Sequence, residues 1–280
     1  MSIRDVLLLS LLQGATEFLP VSSSGHLVLM QRLLGLKDAP LFFDLILHLG
    51  TALAAGIVFS RTIFHIISDP FAYIARKERR ATILKHGNVR FLLFILLSLG
   101  VTGVLGLLLM DKISQFFYKP QWVPVFLTMT GMVLLATKFI PIKNKEIFQI
   151  SFAQPLVIGA SQVAGGLPGI SRSGITVSAG LFMGMSRRFS ASFSFILAIP
   201  TIAGASIFEF IRECYGSGGV NAFFINSPFL ILCIIGFGVS TFSGYVALRL
   251  LLPLLERGRW HLFSYYCFAI ALAGFFGVVK

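Results

Sequence analysis

Two short stretches crowd side chains able to do chemistry between almost wholly apolar runs. The first is Gln13-Gly-Ala-Thr-Glu-Phe-Leu-Pro-Val-Ser-Ser-Ser-Gly-His26, and the second is Gly165-Gly-Leu-Pro-Gly-Ile-Ser-Arg-Ser-Gly174. Each has Pro and Gly, then Ser-x-Ser-Gly, then an apolar run, which reads as a turn feeding a helix N-terminus. Free backbone N–H groups and the positive end of the helix dipole suit such a place to anions. The hydroxyls of Ser22, Ser24, Ser171 and Ser173 and the backbone at Gly174 add donors. Arg172 adds a permanent charge whose planar fork matches phosphate oxygens. Glu17 and His26 can move protons, and a serine of the Ser22–Ser24 run can act as nucleophile. Brought together, these groups can hold a phosphate and attack it.

Each residue also has a simpler reading. Arg172 could only neutralise Glu17 as a buried pair. His26 could be a hydrogen-bonded core histidine, and at least one serine is expected to cap a helix. Asp44 and His48 lie four apart, so they could pair on one helical face. For a cation, oxygen ligands favour Mg²⁺ or Ca²⁺, and Mg²⁺ often binds through one or two carboxylates plus substrate phosphate. Glu17 is the one acid of the motif, and Gln13, one turn earlier, offers a neutral carbonyl oxygen.

The chain that must position these groups has 280 residues, 56% hydrophobic and 12% charged, with mean hydropathy +0.88. That charged fraction is about half that of a soluble domain. Several charge-poor runs reach the roughly 20 residues that cross a bilayer as helix. An integral, helical membrane protein follows, because a barrel's alternation is absent. The net charge of +12 lies in short loops and reads as topology signal and attraction to anionic lipid, not as a nucleic-acid surface. Cys214, Cys233 and Cys267 fit no metal spacing and read as apolar filler. No cleavable leader is expected after Arg4-Asp5.

Dividing the chain at its charges gives broken apolar segments at 5–36 and 150–186, a basic loop at 61–90, and spans at 40–60, 91–110, 122–140, 189–211, 228–248 and 262–279. Glu209 and Glu213 fall near a span end and read as interfacial. A shift of 149 superposes Gln13 on Gln162, Ser22 on Ser171, Ser24 on Ser173 and Gly25 on Gly174 without a gap. A shift of 150 superposes Phe43 on Phe193 and Thr51 on Thr201. An internal duplication is therefore expected, with residues 1–60 and 150–211 holding the matching motifs and first spans of one membrane domain over 1–280.

If each broken segment is a re-entrant hairpin, six spans remain. One side then receives Arg61, Arg76, Lys77, Arg79, Arg80, Lys85, Arg90, Lys138, Lys143, Lys145, Arg187, Arg188, Arg249, Arg257 and Arg259. The other receives Arg4, Arg32, Lys37, Lys112, Lys119, Arg212 and Lys280. The first side is the cytoplasm by the positive-inside rule, which sets both termini outside. Three spans separate the hairpins, so they enter from opposite sides. The expected fold is all-α, with six transmembrane helices and two re-entrant helical hairpins in an inverted-topology repeat, the loops meeting near the midplane.

Glu17-Phe-Leu-Pro-Val-Ser-Ser-Ser-Gly-His26 and Pro168-Gly-Ile-Ser-Arg-Ser-Gly174 resemble the two signature motifs of the bacterial undecaprenyl-diphosphate phosphatases of the bacitracin-resistance type. Phe43-Asp-Leu-Ile-Leu-His-Leu-Gly-Thr51 and Phe193-Ser-Phe-Ile-Leu-Ala-Ile-Pro-Thr201 also look like family segments, and the resemblance runs over nearly the whole chain. It implies an inner-membrane enzyme that converts undecaprenyl diphosphate to undecaprenyl phosphate, recycles the cell-wall lipid carrier, works on the periplasmic side and depends on a divalent cation. It places Glu17, Ser22, Ser23, Ser24, His26, Ser171, Arg172 and Ser173 in the active site. Gln13 stands where many members carry a second glutamate, which weakens a two-carboxylate metal site.

Ser23 is the first choice of nucleophile, as the middle of its run and the residue opposite Arg172 in the repeat. Glu17 or His26 takes its proton. The expected partners are undecaprenyl diphosphate, membrane lipids and a second copy of the chain. A polyprenyl-phosphate flippase built on the same inverted repeat is the alternative, since transporters share this design. The other class of membrane lipid phosphatases is a poor match, lacking here its Lys-rich first motif and its later His with an Asp partner.

Overall fold

The computed structural model describes residues 1–36, 41–75, 86–141, 143–216 and 227–278. Of the residues used in the charge reading, Lys37, Arg76, Lys77, Arg79, Arg80, Lys85 and Lys280 lie outside these, as do the side chains of Glu213 and Cys214. Eleven α-helices occupy the described residues: α1 Ile3–Glu17, α2 Ser23–Leu33, α3 Leu41–Val58, α4 Ser60–Ala75, α5 Gly87–Ser114, α6 Val123–Ala136, α7 Ala153–Ala164, α8 Arg172–Phe182, α9 Arg187–Gly216, α10 Ser227–Glu256 and α11 Phe263–Val278. One isolated bridge, Lys145 to Met185, is the only β-pairing among the described residues.

Five helices are long and apolar enough to cross a membrane: Gly87–Ser114, Pro120–Phe139, Arg187–Arg212, Phe229–Leu255 and Trp260–Gly277. A sixth candidate is the pair Phe42–Val58 and Ser60–Tyr73, bent by 73° at its break. Against them, α1, α2, α7 and α8 have 15, 11, 12 and 11 residues. At 1.5 Å per residue they reach only about 16–22 Å, short of a hydrocarbon core of about 30 Å.

One sequence expectation is corrected. Residues 61–90 do not form a single basic loop, because α4 extends over Ser60–Ala75. Ile63, Ile66 and Ile67 recur there at helical spacing, and Ile66 is buried in the main core while Ile67 is exposed. Periodic apolar residues supply a helix face even between flanking charges.

Local sequence explains where the short helices stop. α1 ends at Glu17 because Pro20 removes a backbone donor and restricts the residue before it. α7 ends at Gly165-Gly166, followed by Pro168. The first helix of each short pair, α1 and α7, then packs closely on a long helix from elsewhere in the chain. In α1, a Cβ on Gly14 would lie 1.9 Å from Ser243 Oγ of α10. In α7, a Cβ on Gly159 would lie 2.5 Å from the Ser98 carbonyl of α5. Small residues at such contacts let backbones approach in lipid, where the hydrophobic effect does not drive helices together. Ser98 Oγ donates to Pro155 O at 2.7 Å and Thr102 Oγ1 to Gly159 O at 2.9 Å, which pins α7 to α5. Below the loops, Phe18 packs edge-on against Phe195 with ring centroids 5.7 Å apart, in a core that also takes Phe91, Phe94 and Phe193.

Candidate active site

The turn after α1 and the turn after α7 meet and are bonded to each other. Gly169 N–H donates to Ser22 Oγ at 3.0 Å, and Ser173 Oγ donates to Leu19 O at 3.1 Å. The approach depends on Gly169. Its φ is +112, and a Cβ there would lie 2.6 Å from Val123 O, so only glycine fits without strain. Thr130 of α6 braces this turn, donating to Gly169 O at 2.8 Å and accepting from Ser171 N–H at 3.1 Å. Cys267 Sγ lies 3.5 Å from Pro20 O and braces the other turn.

Ser22 and Ser171 are the N-caps of α2 and α8. Ser22 Oγ accepts from Gly25 N–H at 3.3 Å, and Ser171 Oγ from Gly174 N–H at 3.0 Å. The caps differ in backbone: Ser171 has φ −75, whereas Ser22 has φ +66. A non-glycine residue there is strained by about 1–3 kcal/mol and must be held by its surroundings. Here the holders are the two N–H groups on its Oγ and His26, whose Nδ1 lies 2.8 Å from Ser22 O.

Capping sets Ser23 and Arg172 as the first residues of their helices, and both reach Glu17 at the end of α1. Ser23 Oγ donates to Glu17 Oε2 at 2.5 Å. Arg172 Nη2 donates to Glu17 Oε1 at 2.6 Å. Gln13 Nε2 donates to Glu17 Oε2 at 2.8 Å from one turn earlier. His48 Nε2 of α3 stands 3.6 Å from the same oxygen. Glu17 is buried, so its charge is balanced by Arg172 and by donors instead of water. The site is not sealed: Ser24 is half-buried, and the Arg172 and His48 side chains are 16% and 25% exposed.

Most sequence-nominated residues thus converge: Gln13, Glu17, Ser23 and Arg172 in direct contact, with Ser22, Ser24, Ser171, Ser173 and Gly174 in the two turns beside them. Ser22 Oγ and Ser24 Oγ are 3.4 Å apart, and Ser171 Oγ and Ser173 Oγ 3.2 Å apart. His26 is turned elsewhere. Ser22 O only accepts, so His26 Nδ1 carries the proton. In the neutral ring Nε2 then accepts from Tyr266 OH, 3.0 Å away, while the two rings stack with centroids 5.7 Å apart.

The expected Asp44–His48 pairing is corrected. Asp44 accepts from Gln31 Nε2 at 2.8 and 3.0 Å, while His48 Nδ1 bonds the Asp44 backbone carbonyl at 2.8 Å and its other nitrogen faces Glu17. An (i, i+4) spacing permits a pair, but a buried carboxylate nearby competes for the imidazole. Tyr266, Thr130 and His48 are absent from the sequence-derived site. Tyr266 and Thr130 lie in ordinary apolar spans, where no local pattern marks them. Glu209, read as interfacial, is buried and paired at 2.9 Å with Arg212, which is exposed. Cys233 and Cys267 are buried and unpaired with each other, as filler should be.

Gln13 bears on cation binding. Its Nε2 must face Glu17, since a carboxylate only accepts, and this fixes the amide's orientation. Its Oε1 is then buried without any donor. A neutral oxygen left bare beside a carboxylate suits a hard cation. Among the described residues no three His, Cys, Asp or Glu side chains gather to cage a metal, so protein ligands alone would not complete the shell.

The arrangement can hold a phosphoryl group between a cation and a hydroxyl that rests on a carboxylate. Comparison with known proteins agrees. Residues 6–273 match the family model "Bacitracin resistance protein BacA". The chain is 36% identical over 276 residues to the undecaprenyl-diphosphatase of Desulforapulum autotrophicum, covering 97% of each. It is 37% identical to that of Desulfosudis oleivorans, covering 94% of this chain and 93% of the other. It is 31% identical to that of Methanobrevibacter smithii, covering 100% and 99%. With one family model running from α1 to α11, this chain belongs to the bacitracin resistance protein BacA family.

Proposed function

We propose that this protein hydrolyses undecaprenyl diphosphate to undecaprenyl phosphate and inorganic phosphate, returning the lipid carrier to cell-wall synthesis. The observation that carries the reading is Glu17, reached at once by the Ser23 hydroxyl at 2.5 Å and by Arg172 from the other turn at 2.6 Å. The relatives' names support hydrolysis over lipid flipping.

In this reading Ser23 Oγ attacks the terminal phosphorus as its proton passes to Glu17 Oε2. The Oγ–P bond forms, the anhydride P–O bond breaks, and undecaprenyl phosphate leaves. Water then cleaves the phosphoserine. Arg172 keeps Glu17 with Nη2 and turns its other nitrogens to the phosphate, since Nη1 makes only a 3.5 Å contact with Ala198 O. Charge spread over the phosphoryl oxygens is what such a fork stabilises. Ser24 and the Ser22 hydroxyl proton add donors, with Ser171, Ser173 and the backbone at Gly174 completing the second turn's side. Glu17 is favoured over His26 as base by its contact with Ser23. His26 holds Ser22 and exchanges protons through Tyr266. Glu17 and Gln13 Oε1 would hold Mg²⁺ or Ca²⁺ together with the diphosphate. When bound, the ion supplies neutralisation of phosphate charge.

The proposal includes the inverted repeat. Its support is that residues 149 apart play like parts: Ser22 and Ser171 cap, Gly25 and Gly174 donate to those caps, and α1 and α7 are each too short to span. Two re-entrant hairpins beside six spans, a bacterial inner-membrane location, termini and pocket facing the periplasm, and pairing with a second copy belong to the same reading, with orientation resting on the Lys/Arg distribution.

The test is phosphate release from undecaprenyl diphosphate by purified protein, with trapping of the phosphoenzyme. Wild type should release phosphate and lose activity in EDTA. Ser23→Ala should give neither phosphate nor labelled protein, while Ser24→Ala should retain a labelled intermediate. A fully active Ser23→Ala protein would retire the nucleophile assignment, and a well-folded wild type without release would retire the function.

A further inference from the structure

A second anion-suited place lies away from this site, where the C-terminal part of α8, the start of α9 and the end of α10 meet. A cavity of about 30 Å³ there is lined by Thr137, Val177, Leu181, Arg187, Gly258 and Trp260, among others. Trp260 is buried, with 4% exposure, and its Nε1–H is one of the few buried side-chain donors without a partner. Arg187 forms no ion pair with any described side chain. Its guanidinium lies directly over Gly258, whose φ is +70 and where a Cβ would sit 2.2 Å from the Arg187 guanidinium carbon. A side chain at 258 would therefore push Arg187 off the cavity. The hydroxyl of Thr137 is already spent on Leu134 O at 2.6 Å.

The open groups at this cavity are thus donors, one of them permanently charged. Lys138, Lys143, Lys145, Arg188, Arg257 and Arg259 lie within a few residues of the cavity's segments or beside them in sequence, and draw anions toward this end of the protein. A buried indole N–H and a free guanidinium together call for an acceptor without protons of its own. The volume admits about one water-sized group, hence one oxygen of a larger anion seated at the mouth.

We infer that this cavity binds a phosphate oxygen through Arg187 and Trp260, separately from the catalytic loops. The phosphate is either the headgroup of an anionic phospholipid or free inorganic phosphate. The two sources are separable, because the chain has only two tryptophans. In a Trp122→Phe background, Trp260 is the sole indole reporter. The protein, in phosphatidylcholine nanodiscs, is titrated with phosphatidylglycerol in one arm and with inorganic phosphate in the other.

A saturable change in Trp260 emission is expected, weakened about tenfold or more by Arg187→Gln, as loss of a charge-assisted bond requires, and largely kept by Arg187→Lys. Response to phosphatidylglycerol alone assigns a lipid headgroup, and response to both assigns any accessible phosphate. Phosphate release by Arg187→Gln protein in phosphatidylcholine shows that it is folded. No response in either arm would mean the cavity holds water only, and the same response in Arg187→Gln would mean Arg187 holds no phosphate; either overturns the inference.

Discussion

The two turns are built alike and do different things. Both follow a short helix, contain Pro, and end in a serine cap whose Oγ takes the N–H three residues on. Of the matched positions at which they differ, two divide the charge and the hydroxyl between them. The first turn carries Glu17 where the second has Gly166, and Ser23 where the second has Arg172. The first also holds its cap at φ +66, the second at −75. Strain is thus confined to the turn that carries the proposed nucleophile, and the relaxed turn brings the cation. The two turns share a frame, and Glu17 against Gly166 with Ser23 against Arg172 divides its charge. A single turn of either kind would hold an uncompensated buried charge, so each needs the other.

This division can be tested by removing each half. Arg172→Ala should cost the most, about 10³-fold or more in kcat/KM, because in the proposed mechanism one side chain both stabilises phosphoryl charge and neutralises Glu17. Arg172→Lys should recover only part, since the fork must hold two partners at once. A mild effect of Arg172→Ala would place all the chemistry in the first turn and break the comparison. Glu17→Gln should lower kcat by about 10²–10⁴-fold, the usual worth of a positioned base, and should weaken rescue of the EDTA-treated protein by Mg²⁺ or Ca²⁺. Unchanged metal rescue would remove Glu17 from the cation's ligands.

Smaller effects sharpen the contrast between caps. Ser171→Ala removes a cap and should lower stability by about 1 kcal/mol. Ser22→Ala removes a cap, leaves the buried Gly169 N–H bare and frees a strained backbone, so about 2–3 kcal/mol is expected. Thermal unfolding in one detergent compares the two, and equal shifts would show that the positive φ needs no special holding. The smallest effect is expected from Tyr266→Phe, a few-fold loss in kcat, because it only frees His26 Nε2. A loss as large as that of Glu17→Gln would make His26 the base.

Much of this was legible before any coordinates. Gly-Pro punctuation between apolar runs marked both turns, and the serines marked the helix starts, because these residues act through local backbone chemistry. α4 was misread because charges at 76–85 outweighed the periodic isoleucines beside them. Sequence offers His48 a pairing with Asp44, because spacing along one helix is visible there, while Glu17, thirty-one residues away, is not.

By itself the sequence determined a helical membrane protein with two matched polar breaks, one acidic and one cationic. Apolar length, Pro, Gly and serine caps act over a few residues, and lipid allows few alternatives to helix. Only the tertiary structure decided that Arg172 and Ser23 grip opposite oxygens of Glu17, that Gly169 lets the turns touch, and that His26 faces Tyr266 instead of Ser23. Those outcomes depend on close packing between helices far apart in the chain, where a single Cβ or one hydroxyl sets who can reach whom.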